Sequence, residues 1–171
     1  MITSHPDFEE ICNYIQKLKE RYDFVVEFSS MDFANTNALV PKLLDEKTIS
    51  LSIECGSESL RKKTGKILTN KQIEESIDFY INKGITKFNL YFMLGVPYET
   101  EKDIDEYIKF SKDLAVKYKN VKFYHIISSF TPKPFTPYER EKRQNNSILK
   151  EYMEKIKSEL TFDNIEINYP M

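Results

Sequence analysis

Apolar residues along this chain follow two different spacings. Four runs are nearly continuous in β-branched and aromatic residues: FVVEFSS at 24–30, ISLSIEC at 49–55, FNLYFML at 88–94 and VKFYHIISSF at 121–130. Such runs predict strands. Between them apolar residues recur at intervals of three and four. Phe8, Ile11, Cys12 and Ile15 mark one helical stripe within 7–21, Ile73, Ile77, Tyr80 and Ile81 a second, and Ile104, Tyr107, Ile108 and Leu114 a third. A final helix is predicted at about 147–160, after the polar stretch YEREKRQNN, and a short fifth strand near 165–167.

End signals agree with this division. Thr69 with Gln72, and Thr100 with Asp103, have capping-box spacing just ahead of helices, and Gly84 stands where a helix should end. Gly56 and Gly95, two of only four glycines, close predicted strands. Strands joined by helical crossovers imply a parallel sheet, and their continuous apolar character predicts cover on both faces. The segment LYFMLGVPYETEKDI at 90–104 then reads as a central strand, a Gly-Pro corner and an acid-started helix. Glu99, Glu101 and Asp103 fit the positive end of that helix dipole.

The 171 residues suit a single domain over 1–171. A closed eight-unit barrel typically takes about 250 residues. Four or five strand–helix units therefore predict an α/β fold that is either a small open sheet or part of a barrel. Composition adds mainly exclusions. With 40% hydrophobic and 30% charged residues and a net charge of −2, the chain is an ordinary globular one with no basic field for nucleic acid. No apolar run approaches the roughly 20 residues that cross a bilayer, and MITSHPDFEE lacks the order of a secretory signal, so a cytoplasmic location is expected. The two cysteines, Cys12 and Cys55, are too far apart for a zinc site and give no disulfide framework. Cys12 reads as core, whereas Cys55 at a strand end can reach solvent.

In parallel α/β sheets ligands bind at the C-terminal strand edge. Ser29–Asp32, Glu54–Ser59, Gly95–Pro97 and Ser128–Pro137 fall there, all rich in small polar residues, glycine or proline. They can form a site of hydroxyls, carboxylates and backbone amides suited to a ligand with hydroxyls and an amine. Glu54 ends an apolar run, so it either serves a ligand or pairs with Arg61 or a nearby lysine. Gly65-Lys66 is no phosphate loop, because Gly56 stands too far back and Ile67 replaces Ser or Thr. His5 precedes a proline near a helix start, and His125 reads as a packed or hydrogen-bonded strand residue. No nucleophile, base and orienting acid emerge from spacing.

Three segments carry a family resemblance. SIECGSESLRKKTGK at 52–66, followed by LTNKQIEESIDFYINKGI at 68–85, then LYFMLGVPYETEKDI, and finally SSFTPKPFTPYE at 128–139, resemble strand-end loops of the radical S-adenosylmethionine superfamily. The resemblance is closest to the branch of methylthiotransferases and cobalamin-binding-domain enzymes, and covers roughly residues 24–139. It implies the C-terminal part of a partial (β/α) TIM-like barrel, strands three to six plus a C-terminal helix. The family's [4Fe–4S] cluster is held by a CxxxCxxC motif that is absent here, so the cluster is expected only in a full-length protein. The resemblance therefore implies a fragment, excised from a longer chain or made from a shortened gene, and inactive alone.

Carried over, Glu54 and Ser57 would face the ribose or amino-acid part of S-adenosylmethionine, and Arg61 its carboxylate. The backbone around Gly95 and Thr131-Pro132 would line the adenine, Ser30 would sit on the third-strand rim, and Lys133 would help hold substrate or loop. Gly95 lets the backbone approach a flat ring, and Pro97 fixes the exit into the helix. The alternatives are a noncatalytic binding or scaffolding module and an unrelated α/β enzyme. A half-barrel also leaves an open strand edge, which predicts a homo-oligomer.

Overall fold

The computed structural model describes residues 5–28 and 36–169, so the expectation placed on Ser30 and its neighbours at 29–32 lies outside the described residues. In chain order the elements are α1 (Phe8–Lys19), α2 (Val40–Leu43), β1 (Thr48–Glu54), α3 (Glu58–Lys63), α4 (Asn70–Ile81), β2 (Lys87–Leu94), α5 (Glu101–Lys117), β3 (Lys122–Ser129), α6 (Asn146–Glu159) and β4 (Ile165–Asn168). The strands form one sheet in the order β1-β2-β3-β4, with every neighbouring pair parallel. The short strand predicted near 165–167 is therefore real and pairs with β3. The architecture is an α/β partial-barrel fragment, in agreement with the sequence.

Local chemistry accounts for the helix starts. At α4, Gln72 donates its N–H to Thr69 Oγ1 at 3.1 Å, and Gln72 Oε1 accepts from the Thr69 N–H at 2.9 Å. At α5, Asp103 Oδ2 accepts from both the backbone N–H and the hydroxyl of Thr100, at 2.9 and 2.7 Å. The three acids before and within α5 thus divide their work. Asp103 caps, Glu101 pairs with Lys155 of α6 at 2.8 Å, and Glu99 turns back to accept from the Gly95 N–H at 2.6 Å.

Two expectations need correction. Residues 24–28 form no strand. The Val26 N–H, which a ladder would have used, goes instead to Asp45 Oδ2 at 3.1 Å, and Asp45 is held by Lys19 Nζ at 2.5 Å. Phe28 packs edge-on against Phe8 of α1. The sheet is also not buried on both faces. Ile49, Leu51 and Ile53, then Phe88, Leu90, Phe92 and Leu94, then Phe123, His125 and Ile127 are buried. They share one core with Ile73, Ile77 and Tyr80 of α4, Ile104, Ile108 and Leu114 of α5, and Leu149, Met153 and Ile156 of α6.

The opposite face is partly open. Ser52, Asn89, Met93, Tyr124 and Ile126 are half-buried, and Tyr91 is 36% exposed. Strand β2 therefore alternates strictly between a helix-facing and an inward-facing row. Tyr91 and Met93 hid that alternation, because both read as apolar while their side chains tolerate a wet surface. One packed face and one semi-polar face are what the wall of an incomplete barrel requires.

Candidate functional site at the strand ends

The C-terminal ends of β1, β2 and β3 lie side by side, with Glu54 in register with Phe92 and Leu94 with Ser129. Strand β1 carries a bulge between Ser52 and Glu54, and Glu54 itself has φ 73°. Tyr98, after β2, has φ 71°, and Phe135, after β3, has φ 61°. Among the described residues these are the only non-glycine residues in the left-handed region, one at or beyond the C-terminal end of each of three neighbouring strands. Such conformations cost of order 1 kcal/mol or more each and gather where a site over-determines its backbone.

Between these loops lies a cleft of about 220 Å³ lined by Glu54, Cys55, Thr64, Lys66, Met93, Val96, Pro97, Phe130 and Tyr138. Its walls are apolar. Cys55, Leu60, Val96 and Phe130 form a small second core, with Met93 and Tyr138 packed against it. Its polar pole is the ion pair of Glu54 Oε1 with Lys66 Nζ at 3.2 Å, and Lys66 also donates to the Ser52 carbonyl. The alternative considered for Glu54, a partner lysine, is thus met by Lys66, which is also the cleft residue that sequence reasoning missed. Gly65 delivers it. With φ 85° Gly65 closes α3, its N–H bonding the Lys62 carbonyl and the Lys66 N–H the Arg61 carbonyl, so the chain reverses and Lys66 swings back over β1. A glycine eight residues after a Ser N-cap was the legible signal.

The remaining expected residues divide between the rim and its scaffold. Gly95 has φ 75°, and a side chain there would strike Gln144 Cβ and Leu149 Cδ2, both 2.9 Å from an added Cβ. Its closest approach is therefore to the α6 lead-in, while its neighbours Val96 and Pro97 line the cleft. Thr131 is exposed, just beyond the lining residue Phe130, and Lys133 is exposed as well. Ser57 is buried and caps α3 by accepting from the Leu60 N–H at 3.2 Å, while donating to Glu106 Oε2 of α5 at 2.7 Å.

Arg61 is fully buried behind the loop. It donates to the carbonyls of Leu68 at 2.8 Å, Cys55 at 2.8 Å and Gly56 at 3.0 Å, and to Asn70 Oδ1. Burial lowers its pKa to about 10.

Charge states follow from burial. Cys55 is 1% exposed, not solvent-facing as its position suggested, and desolvation pushes its thiol up to about 12. Glu99 is pushed up to about 7, first by desolvation and then by Asp103, against the favourable bond from Gly95. His125 is packed as expected, with Nδ1 2.6 Å from Tyr107 Oη, and burial lowers it to about 3. It faces the helices, away from the cleft. Cys12 and Cys55 are both buried and belong to separate cores, and no group of three or more His, Cys, Asp or Glu among the described residues can hold a metal. The residues present do not fit an iron–sulfur cluster.

Comparison with known proteins supplies a family. The sequence model of the Radical SAM superfamily matches residues 2–111. An uncharacterised protein of Methanocaldococcus jannaschii is 31% identical over 147 residues, which cover 85% of this chain and 32% of the relative. The threonylcarbamoyladenosine tRNA methylthiotransferase of Aquifex aeolicus is 28% identical over 145 residues, covering 79% of this chain and 35% of that enzyme. The chain thus spans about a third of the length of the curated relatives it matches.

Proposed function

Because the chain belongs to the radical S-adenosylmethionine superfamily, we propose that it supplies the cofactor-contacting and substrate-shaping strand ends of such an enzyme. The observation that carries this reading is the strand-end cleft, with apolar walls at Met93, Val96, Pro97 and Phe130 and one polar pole at Glu54 and Lys66. A nucleoside with an amino-acid tail has the matching division into a flat apolar ring and a polar end.

In this reading Glu54 takes ribose hydroxyls or the ligand amine. The backbone about Gly95 and Thr131 frames the adenine through Val96, Pro97 and Phe130. Ser57 and Arg61 act one step back, holding the loop that carries Glu54, with Arg61 working through the Cys55 and Gly56 carbonyls. Ser30, which lies outside the described residues, is the remaining residue that the resemblance assigns to the cofactor. In a full-length enzyme the bound cofactor would supply the radical chemistry of the family, and a cluster would have to be held by residues other than these. A chain with these residues alone binds without cleaving.

Titration with S-adenosylhomocysteine, followed by amide chemical shifts, tests the cleft. Binding should move Met93, Val96 and Phe130, and Glu54→Ala should weaken it at least fivefold. Lys150→Ala, on the exposed face of α6, should leave it unchanged. Equal affinity of Glu54→Ala and the parent chain, or shifts confined to other surfaces, would sink the assignment.

A further inference from the structure

Glu99 is tied to the cleft although it does not belong to the ligand-facing pole. Its carboxyl oxygen Oε2 accepts from the Gly95 N–H at 2.6 Å, and its own N–H donates to the Val96 carbonyl at 3.1 Å. These two bonds close a five-residue loop whose inner members, Val96 and Pro97, form one wall of the cleft. The loop has a firm backing. Gly95 lies against Gln144 and Leu149, and the Phe130 N–H bonds the Leu94 carbonyl at 2.7 Å, joining the wall to the one opposite. Glu99 is half-buried: it shares a small crevice with Asp103, Leu60, Phe92, Ile104 and Tyr107, and on its other side borders an open cleft beside residues 140–143. A carboxyl among these residues gains a charge only against desolvation and a like-charged neighbour.

We propose that Glu99 is a proton-operated positioning residue, whose carboxyl sets the Gly95–Pro97 wall of the cleft through the Gly95 N–H. This deepens the cofactor-binding reading and rests on it for the identity of the ligand, though not for the latch itself. The ionised carboxylate is the stronger acceptor, because charge-assisted hydrogen bonds are shorter and roughly twice as strong as neutral ones. Ionisation therefore tightens the wall, and protonation loosens it. The groups facing Glu99 set where the change occurs. They are Asp103 on α5, which disfavours the charge, Tyr152 on α6, the Cys55 thiol beyond β1, and Arg140, Glu141, Lys142 and Arg143 of the segment before α6, which line an open cleft with Glu99. Burial and Asp103 place the transition at about pH 7, inside the physiological range.

The test follows the Gly95 amide of the ligand-free chain from pH 5.5 to 8.5, in the parent, Glu99→Gln and Asp103→Asn. The parent amide should move downfield with a midpoint near 7. The shift should vanish in Glu99→Gln and move to lower pH in Asp103→Asn, where the like charge is gone. The same samples are then titrated with S-adenosylhomocysteine. Affinity should rise severalfold from pH 6 to 8 in the parent relative to Glu99→Gln, since the ligand's own ionisation is common to both. A Gly95 amide that does not titrate, or titrates equally in Glu99→Gln, overturns the latch, and the parent curve decides if that variant fails to fold. A titrating Gly95 with no ligand binding at any pH overturns the cofactor reading and leaves the latch standing.

Discussion

A methyl group at Gly56 would lie 2.1 Å from Tyr107 Cβ and 2.2 Å from its Cδ2, and the ring has no room to retreat because it stacks edge-on against Phe92. Gly56→Ala should therefore lower unfolding free energy by about 3 kcal/mol in a urea titration, the upper range for an overpacked core. Two titrating residues oppose each other. His125 binds its proton near pH 3 when folded against an ordinary 6.5, so the unfolded chain takes up protons that the native chain refuses. Its contribution is complete above 6.5 and falls as the solution is acidified. Glu99 keeps its proton up to about 7 when folded against an ordinary 4.5, so its contribution is complete below 4.5 and lost as pH rises through 7. Between pH 7.5 and 5 each change is about 2 kcal/mol, with opposite sign. The parent should show little net slope from this pair. Glu99→Gln should lose about 2 kcal/mol on acidification, and His125→Leu should gain about as much, measured as differences from the parent at each pH. Equal slopes in all three proteins would refute the burial argument. At this scale the sequence disclosed which residues are rare and where they fall. It could not disclose that Arg61 spends its donors on its own loop, because three of the four acceptors are backbone carbonyls with no sequence signature.

At the scale of elements, the loop from Cys55 to Asn70 is organised by that one buried guanidinium. Arg61→Met would leave several buried carbonyls unpaired and should cost about 3 to 5 kcal/mol, read as a lower urea midpoint. The contrast is Lys155, which bridges α6 to Glu101 at 2.8 Å and Asp105 at 2.7 Å at the surface. Lys155→Met should leave the urea midpoint nearly unchanged, and any difference should shrink further in about 1 M salt. Helices α1, α4 and α5 were legible from apolar spacing, and α4 and α5 also from capping residues, since both act within one turn of chain, whereas α6 was expected from its place after a polar stretch. Helix α3 was not, because its six residues show too short a stripe, and its ends are decided by Ser57 and Gly65 together. The run at 24–28 failed as a strand for the converse reason. Its composition suits a sheet, but Asp45 offers Val26 a side-chain acceptor that no local pattern announces.

For the whole molecule, β1 has β2 as its sheet neighbour on one side and no paired strand on the other among the described residues. The exposed residues Phe24 and Val25 lie in the segment that failed to pair. An unpaired edge of this kind invites association. The chain should therefore show concentration-dependent dimerisation by light scattering, weakened by Val25→Lys, and a monomer at all concentrations would refute it. The alternation of β1 to β4 with α4, α5 and α6, the caps and the family membership were determined by sequence alone, because periodicity, cap pairs and motif spacing are properties of neighbouring residues. Tertiary structure alone decided that one sheet face stays half open, that Lys66 rather than Arg61 meets Glu54, and that Glu99 fastens the wall of the cleft. Each of those depends on which groups exclude water together, and residues far apart in the chain settle that only when they pack.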